Sequence, residues 1–99
     1  MQEDQSIPAM ECTAVVVHIP NDPTGRTKAT ASVVLNGLLQ LNELRVVDGA
    51  NGPFVAYPWI SGEFRSFFLP VTREQRDCIE TAVLAEYQRE LSKENDNGV

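Results

Sequence analysis

The side chains of this 99-residue chain that could meet a phosphate are few. They are Arg26 and Lys28 after a first loop, Arg65 in the string Gly62-Glu63-Phe64-Arg65, and Arg73 and Arg76 at the start of a predicted helix. A cation set against a phosphate displaces condensed counterions, so each contributes affinity that falls as salt rises. Arg73 and Arg76 stand out from ordinary surface charges because the helix dipole mildly disfavours cations in a first turn. Glu74 and Asp77 lie beside them, however, and the plainer reading is a solvated face with local ion pairs, each contributing about 0–1 kcal/mol.

Phe54, Tyr57, Trp59, Phe64, Phe67 and Phe68 could offer bases a stacking platform. A small sheet protein needs its aromatics for the core, and the core is the stronger expectation for all but Trp59. Trp59 falls in a predicted loop, where an unburied indole marks a partner surface. His18 is the only histidine and has no second metal ligand or nucleophile at a recognisable spacing; it reads as an ordinary strand residue. Asp48-Gly49-Ala50-Asn51-Gly52 lacks both the Lys-Ser/Thr of a phosphate-binding loop and the spaced carboxylates of a calcium loop, so it reads as a turn, across which Arg45 and Asp48 could pair. Cys12 and Cys78 match neither a redox CxxC pair nor a zinc set. A disulfide between them is formally open, but two buried cytosolic thiols are the expectation. No catalytic constellation emerges, and neither an enzyme nor a cofactor or metal is expected.

The elements that must position these residues are legible from periodicity. Cys12 to Ile19 is rich in β-branched residues and stops at Pro20-Asn21-Asp22-Pro23-Thr24-Gly25, a cluster of turn formers. Lys28 to Asn36 alternates Ala29, Ala31, Val33 and Leu35 against polar partners, the two-residue period of a strand with one buried face. Asn36-Gly37 supplies the positive φ of a tight hairpin, so Leu38 to Val47 should return antiparallel. Pro53 to Tyr57 follows as a strand, placed at an edge or bounded by Pro53 and Pro58, which lack backbone donors. Gly62 to Leu69 is the last β candidate. Thr72 stands three residues before Gln75 in capping-box spacing, and Ile79, Ala82, Val83, Tyr87 and Leu91 then form one apolar helical stripe. The predicted fold is α+β: an antiparallel sheet of four to five strands with one C-terminal helix packed on it.

Residues 1–9 read as a flexible acidic arm, 10–92 as one domain and 93–99 as a flexible tail. No apolar stretch is long enough to span a bilayer and no signal peptide is readable, so a cytoplasmic protein without membrane contact is expected. The net charge of -6 argues against nucleic-acid binding by overall charge alone. The termini distort that figure: residues 1–11 contribute -3 and residues 93–99 contribute -1, leaving -2 for the middle and room for a local basic patch.

One run is more particular than composition explains. It begins Ala31-Ser32-Val33-Val34-Leu35, passes through Leu44-Arg45-Val46-Val47-Asp48-Gly49-Ala50-Asn51-Gly52-Pro53-Phe54-Val55-Ala56-Tyr57-Pro58 and Gly62-Glu63-Phe64-Arg65, and closes with Ala82-Val83-Leu84-Ala85-Glu86-Tyr87. This run resembles the stage V sporulation protein G family, the bacterial SpoVG septation proteins, and the likeness extends from Met10 to about Leu91. The resemblance implies a small cytosolic homodimer, a non-enzymatic regulator of septation, sporulation and gene expression that binds DNA or RNA. Arg65 is then the leading contact, since it sits in matched family sequence. Three departures weaken that implication. Ala14 to Ile19 stands where the family usually carries several arginines, Trp59-Ile60-Ser61 replaces a basic loop with an expected Lys-Arg pair, and the acidic arm is an addition. Weak, salt-sensitive binding is the leading expectation. The alternative is a protein-interaction module that keeps the fold and dimer but uses Trp59 and nearby apolar residues for a protein partner.

Overall fold

The computed structural model of the protein describes residues 8–20, 25–58 and 68–97. Four strands, β1 (Cys12–His18), β2 (Thr27–Leu35), β3 (Leu39–Gly49) and β4 (Gly52–Ala56), form one antiparallel sheet in the order β1-β2-β3-β4, and α1 (Arg73–Asn97) packs on one face of it. Most of the fifth strand candidate, 62–69, lies outside the described residues, and Phe68 and Leu69 at its end are not in a strand.

The alternation in β2 sets the architecture. Ala29, Ala31, Val33 and Leu35 are all buried, and cross-strand register carries that face outward to both sides: Val15 opposes Val33 and Val17 opposes Ala31 on β1, while Leu44 opposes Ala31 and Val46 opposes Ala29 on β3. Val55 continues the face on β4 opposite Val46. Onto this surface α1 lays Ile79, Val83 and Tyr87, spaced four apart and all buried, with Leu84 and Leu91 partly buried beside them. Removing a side chain of this size from water stabilises the fold by roughly 1.5–3 kcal/mol, so the helix is held by its stripe.

The Asn36-Gly37 turn forms as its sequence requires. Asn36 has φ 54° and Gly37 φ 67°, and the Leu38 amide donates to the Leu35 carbonyl at 2.9 Å; Leu35 then pairs with Leu39, so Asn36, Gly37 and Leu38 form the connection. Between Ala31↔Leu44 and Val33↔Leu41 the register advances two residues on β2 but three on β3. The extra residue is accommodated as a bulge in which Glu43 takes φ 68°, a left-handed conformation usually left to glycine. At the next turn Gly52 has φ 116°, while Gly49 serves space: a Cβ there would meet the Phe54 ring at 2.8 Å.

The helix continues to Asn97, through the segment whose sequence reads as a tail from Lys93. No glycine or proline interrupts it before Gly98, and a Glu90–Lys93 ion pair at 3.3 Å supports its last turns.

Candidate nucleic-acid interface

The start of α1 is built by Thr72. Its Oγ1 accepts the Gln75 amide at 3.1 Å, satisfying one of the donors a helix N-terminus leaves free. The second half of the capping box does not form. Instead the Gln75 side chain turns to Met10, where its Oε1 accepts the Met10 amide at 2.6 Å and its Nε2 donates to the Met10 carbonyl at 3.0 Å. A carboxamide carries a donor and an acceptor side by side, and one extended residue offers the complementary pair. Asn36 holds Glu11 with one side-chain and one backbone group: the Glu11 amide donates to Asn36 Oδ1 at 2.9 Å and the Asn36 backbone amide donates to the Glu11 carbonyl at 2.8 Å. Residues 10 and 11 are thereby tied to the helix start and to the β2–β3 turn.

Arg73 and Arg76 are exposed on the first turn beyond this cap and line a shallow hollow with Pro70, Val71, Thr72 and Asp77. Among the described residues the helix ion pairs are Arg89–Glu86 and Glu90–Lys93, both at 3.3 Å; the pairing of Arg73 and Arg76 with Glu74 and Asp77 expected from the sequence is not among them. Arg76 faces Tyr57. The Tyr57 hydroxyl donates to Glu80 Oε2 at 3.4 Å, and burial, reinforced by the Glu80 carboxylate, pushes its pKa up to about 12 while Arg76 opposes the shift.

Arg26 and Lys28 stand elsewhere. Arg26 is exposed, but its Nε donates to the Asp48 carbonyl at 3.1 Å, and its own carbonyl accepts the Asp48 amide at 2.7 Å; Lys28 is half-buried near the start of β2. Asp48 lies at the turn end of β3, whereas Tyr57, and with it Arg76, follows the opposite end of β4. Three to four strand residues, roughly 10–13 Å, separate the two groups of cations. The four described candidates for phosphate contact therefore fall into two groups, Arg26 with Lys28 and Arg73 with Arg76. Arg65 and Trp59 lie outside the described residues.

Two further expectations are corrected. Arg45 does not pair with Asp48 among the described residues: three positions apart on one strand, the two point to opposite faces, and Arg45 Nη1 donates to Thr27 Oγ1 at 3.4 Å instead. Phe54 is not a core residue. The register Val46↔Val55 commits Val55 to the core, so Phe54 opposite Val47 belongs to the other face and remains 44% exposed. Tyr57 and Phe68 do behave as core aromatics, packed edge to face with centroids 6.3 Å apart. His18 is exposed at the end of β1 opposite Thr30.

Among the described residues no three or more His, Cys, Asp or Glu side chains are placed to hold a metal ion, and no helix is long and apolar enough to cross a membrane.

The SpoVG family profile matches residues 10–89, a span that includes all four strands and most of α1. The chain belongs to the SpoVG family. Relatives named as SpoVG proteins of septation support the assignment at similar levels: one from Priestia megaterium is 43% identical over 83 residues, covering 81% of this chain and 85% of the relative. One from Geobacillus thermodenitrificans is 42% identical with the same coverage. One from Listeria monocytogenes is 43% identical over 68 residues, covering 66% and 67%. Within this SpoVG fold the sequence pattern located the helix cap and the buried face of β2. It missed the Gln75–Met10 and Asn36–Glu11 ties and the Tyr57–Glu80 contact, because the partners lie 65, 25 and 23 positions apart; the one available signal was Gln75 itself, at a position where a capping side chain has a choice of partners.

Proposed function

We propose that the chain acts as a SpoVG-type homodimeric regulator of septation or sporulation and gene expression, non-enzymatic and cytoplasmic, that binds DNA or RNA weakly through basic residues. Arg65, in the matched family sequence, and Arg73 and Arg76, at the exposed start of α1, are the leading contacts, with Arg26 and Lys28 as candidates in a separate group. The observation that carries the reading is family membership over 10–89 combined with two exposed arginines on one helical turn. With Arg26 and Lys28 set apart from Arg73 and Arg76 and a net charge of -6, few phosphates are neutralised at once, so binding is weak and falls with salt along a shallow slope.

Fluorescence anisotropy with labelled single- and double-stranded oligonucleotide pools tests this. Saturable binding at low salt is expected, and replacing both Arg73 and Arg76 with Ala should weaken it and flatten its slope against log salt by roughly 2. No binding by the parent protein at low salt overturns the reading. Light scattering coupled to size exclusion tests the homodimer, which a monomer mass at all concentrations would exclude.

A second reading is a protein-interaction module. The face of the sheet away from α1 exposes Val16 by 63% and Phe54 by 44%, apolar surface suited to a protein partner, with Trp59 as a further anchor. Under this reading Trp59→Ala and Phe54→Ser abolish capture of that partner while the arginine substitutions leave it unchanged.

A further inference from the structure

Cys12 opens β1 and Cys78 lies one turn into α1, 66 positions later. The fold brings them together. Cys12 Sγ lies 3.9 Å from the Cys78 carbonyl and Cys78 Sγ lies 3.5 Å from the Met10 carbonyl, which sets the two thiols close enough for Cys78 to act on the ionisation of Cys12. Both are free and half-buried, which corrects the expectation of two fully buried thiols. The clamp between Gln75 and Met10 sits immediately beside them and fixes the approach of strand to helix.

We propose that Cys12 and Cys78 form a reversible intramolecular disulfide that staples the start of β1 to the first turns of α1. Both sulfurs open on a shallow surface depression shared with Glu11, Glu74, Asp77 and Thr81, so a small oxidant reaches them without unfolding. Those carboxylates repel anionic disulfides such as oxidised glutathione and leave an uncharged peroxide as the fitting oxidant. Burial, followed by the nearby Cys78 and Glu11, raises the Cys12 pKa to about 11 and keeps it a thiol. Cys78 is therefore the sulfur that reacts first. Its thiolate attacks one peroxide oxygen, the O–O bond breaks, and hydroxide leaves to be protonated as water, giving a sulfenic acid. Cys12 sulfur then displaces the hydroxyl from the Cys78 sulfur as the S–S bond forms, and the Cys12 proton leaves with that hydroxyl as water. Two thiols and one peroxide yield one disulfide and two waters.

Two thiols with no third ligand are not a metal site, consistent with the absence of any group of three or more ligating side chains among the described residues. Closing so long a loop restricts the unfolded chain far more than the folded one, where the sulfurs are already adjacent. Oxidation thus stabilises the protein and fixes the helix start, with Arg73 and Arg76, against the sheet.

The test uses the full chain, reduced, freed of reductant and treated with hydrogen peroxide. Intact mass should fall by two hydrogens, peptide mapping should return a Cys12–Cys78 linked pair, and Tm should rise by at least about 5 °C, reversed by dithiothreitol. In Cys12→Ser the sulfenic acid should persist on Cys78 and be captured by dimedone. An unchanged mass, sulfinic acids on unlinked cysteines, or a disulfide joining two chains would each overturn the proposal, and dimedone capture confined to Cys12 in Cys78→Ser would overturn the assigned order.

Discussion

Tyr57 shows how much one residue's chemistry depends on where the fold puts it. Its ring is in the core and its hydroxyl meets Glu80, so ionisation would place an anion in a half-dry site beside a carboxylate. The folded-state pKa of about 12 lies above the ordinary value of 10; the neutral phenol contributes stability that is fully present below pH 10 and lost as pH rises through about 12. Denaturant midpoints measured from pH 9 to 12 should fall for the parent protein, and Tyr57→Phe should remove part of that fall. At Glu43 the relevant quantity is backbone strain. A left-handed non-glycine residue costs about 1–2 kcal/mol, and glycine returns part of that gain as unfolded-state freedom. Glu43→Gly should therefore raise stability by roughly 0.5–1 kcal/mol in chemical denaturation, whereas Glu43→Val should lower it.

At the scale of elements, α1 is positioned by its cap and held by its stripe, and the two are separable by mutation. Thr72→Ala removes the bond to the Gln75 amide and should cost about 1 kcal/mol, with fraying of the first turn visible in amide exchange. Ile79→Ala empties a fully buried site and should cost about 2–5 kcal/mol. If Thr72→Ala weakens oligonucleotide binding more than its small stability cost explains, the helix start is the contact surface, because that substitution disturbs the turn carrying Arg73 and Arg76. The β2–β3 hairpin illustrates the opposite case, where local chemistry is sufficient: Asn36 and Gly37 adopt the positive φ that their residue types favour.

For the molecule as a whole, the described residues form one layer of sheet carrying one helix, which buries one sheet face and leaves Val16 and Phe54 on the other. That arrangement keeps both exposed and gives the small domain surface with which to gain further burial from a partner. If that face is covered in a homodimer, Phe54→Asp should shift the protein toward monomer in sedimentation velocity while leaving the unfolding transition cooperative; an unshifted dimer would place the interface elsewhere.

The sequence by itself determined the buried face of β2, the hairpin at Asn36-Gly37, the cap at Thr72 and the apolar stripe of α1. Each of these follows from interactions between residues a few positions apart, where side-chain period and backbone preference act directly. It determined family membership for a related reason, since the residue order through Asp48-Gly49-Ala50-Asn51-Gly52 is itself the signal. Only the tertiary structure decided that the Gln75 carboxamide serves Met10 rather than the helix cap, that Arg26 and Arg76 belong to different clusters, that Phe54 faces outward, and that Cys12 meets Cys78. Those outcomes depend on register between strands and on where the helix crosses the sheet. A shift of one residue in pairing reverses every face, so no local pattern could have specified them.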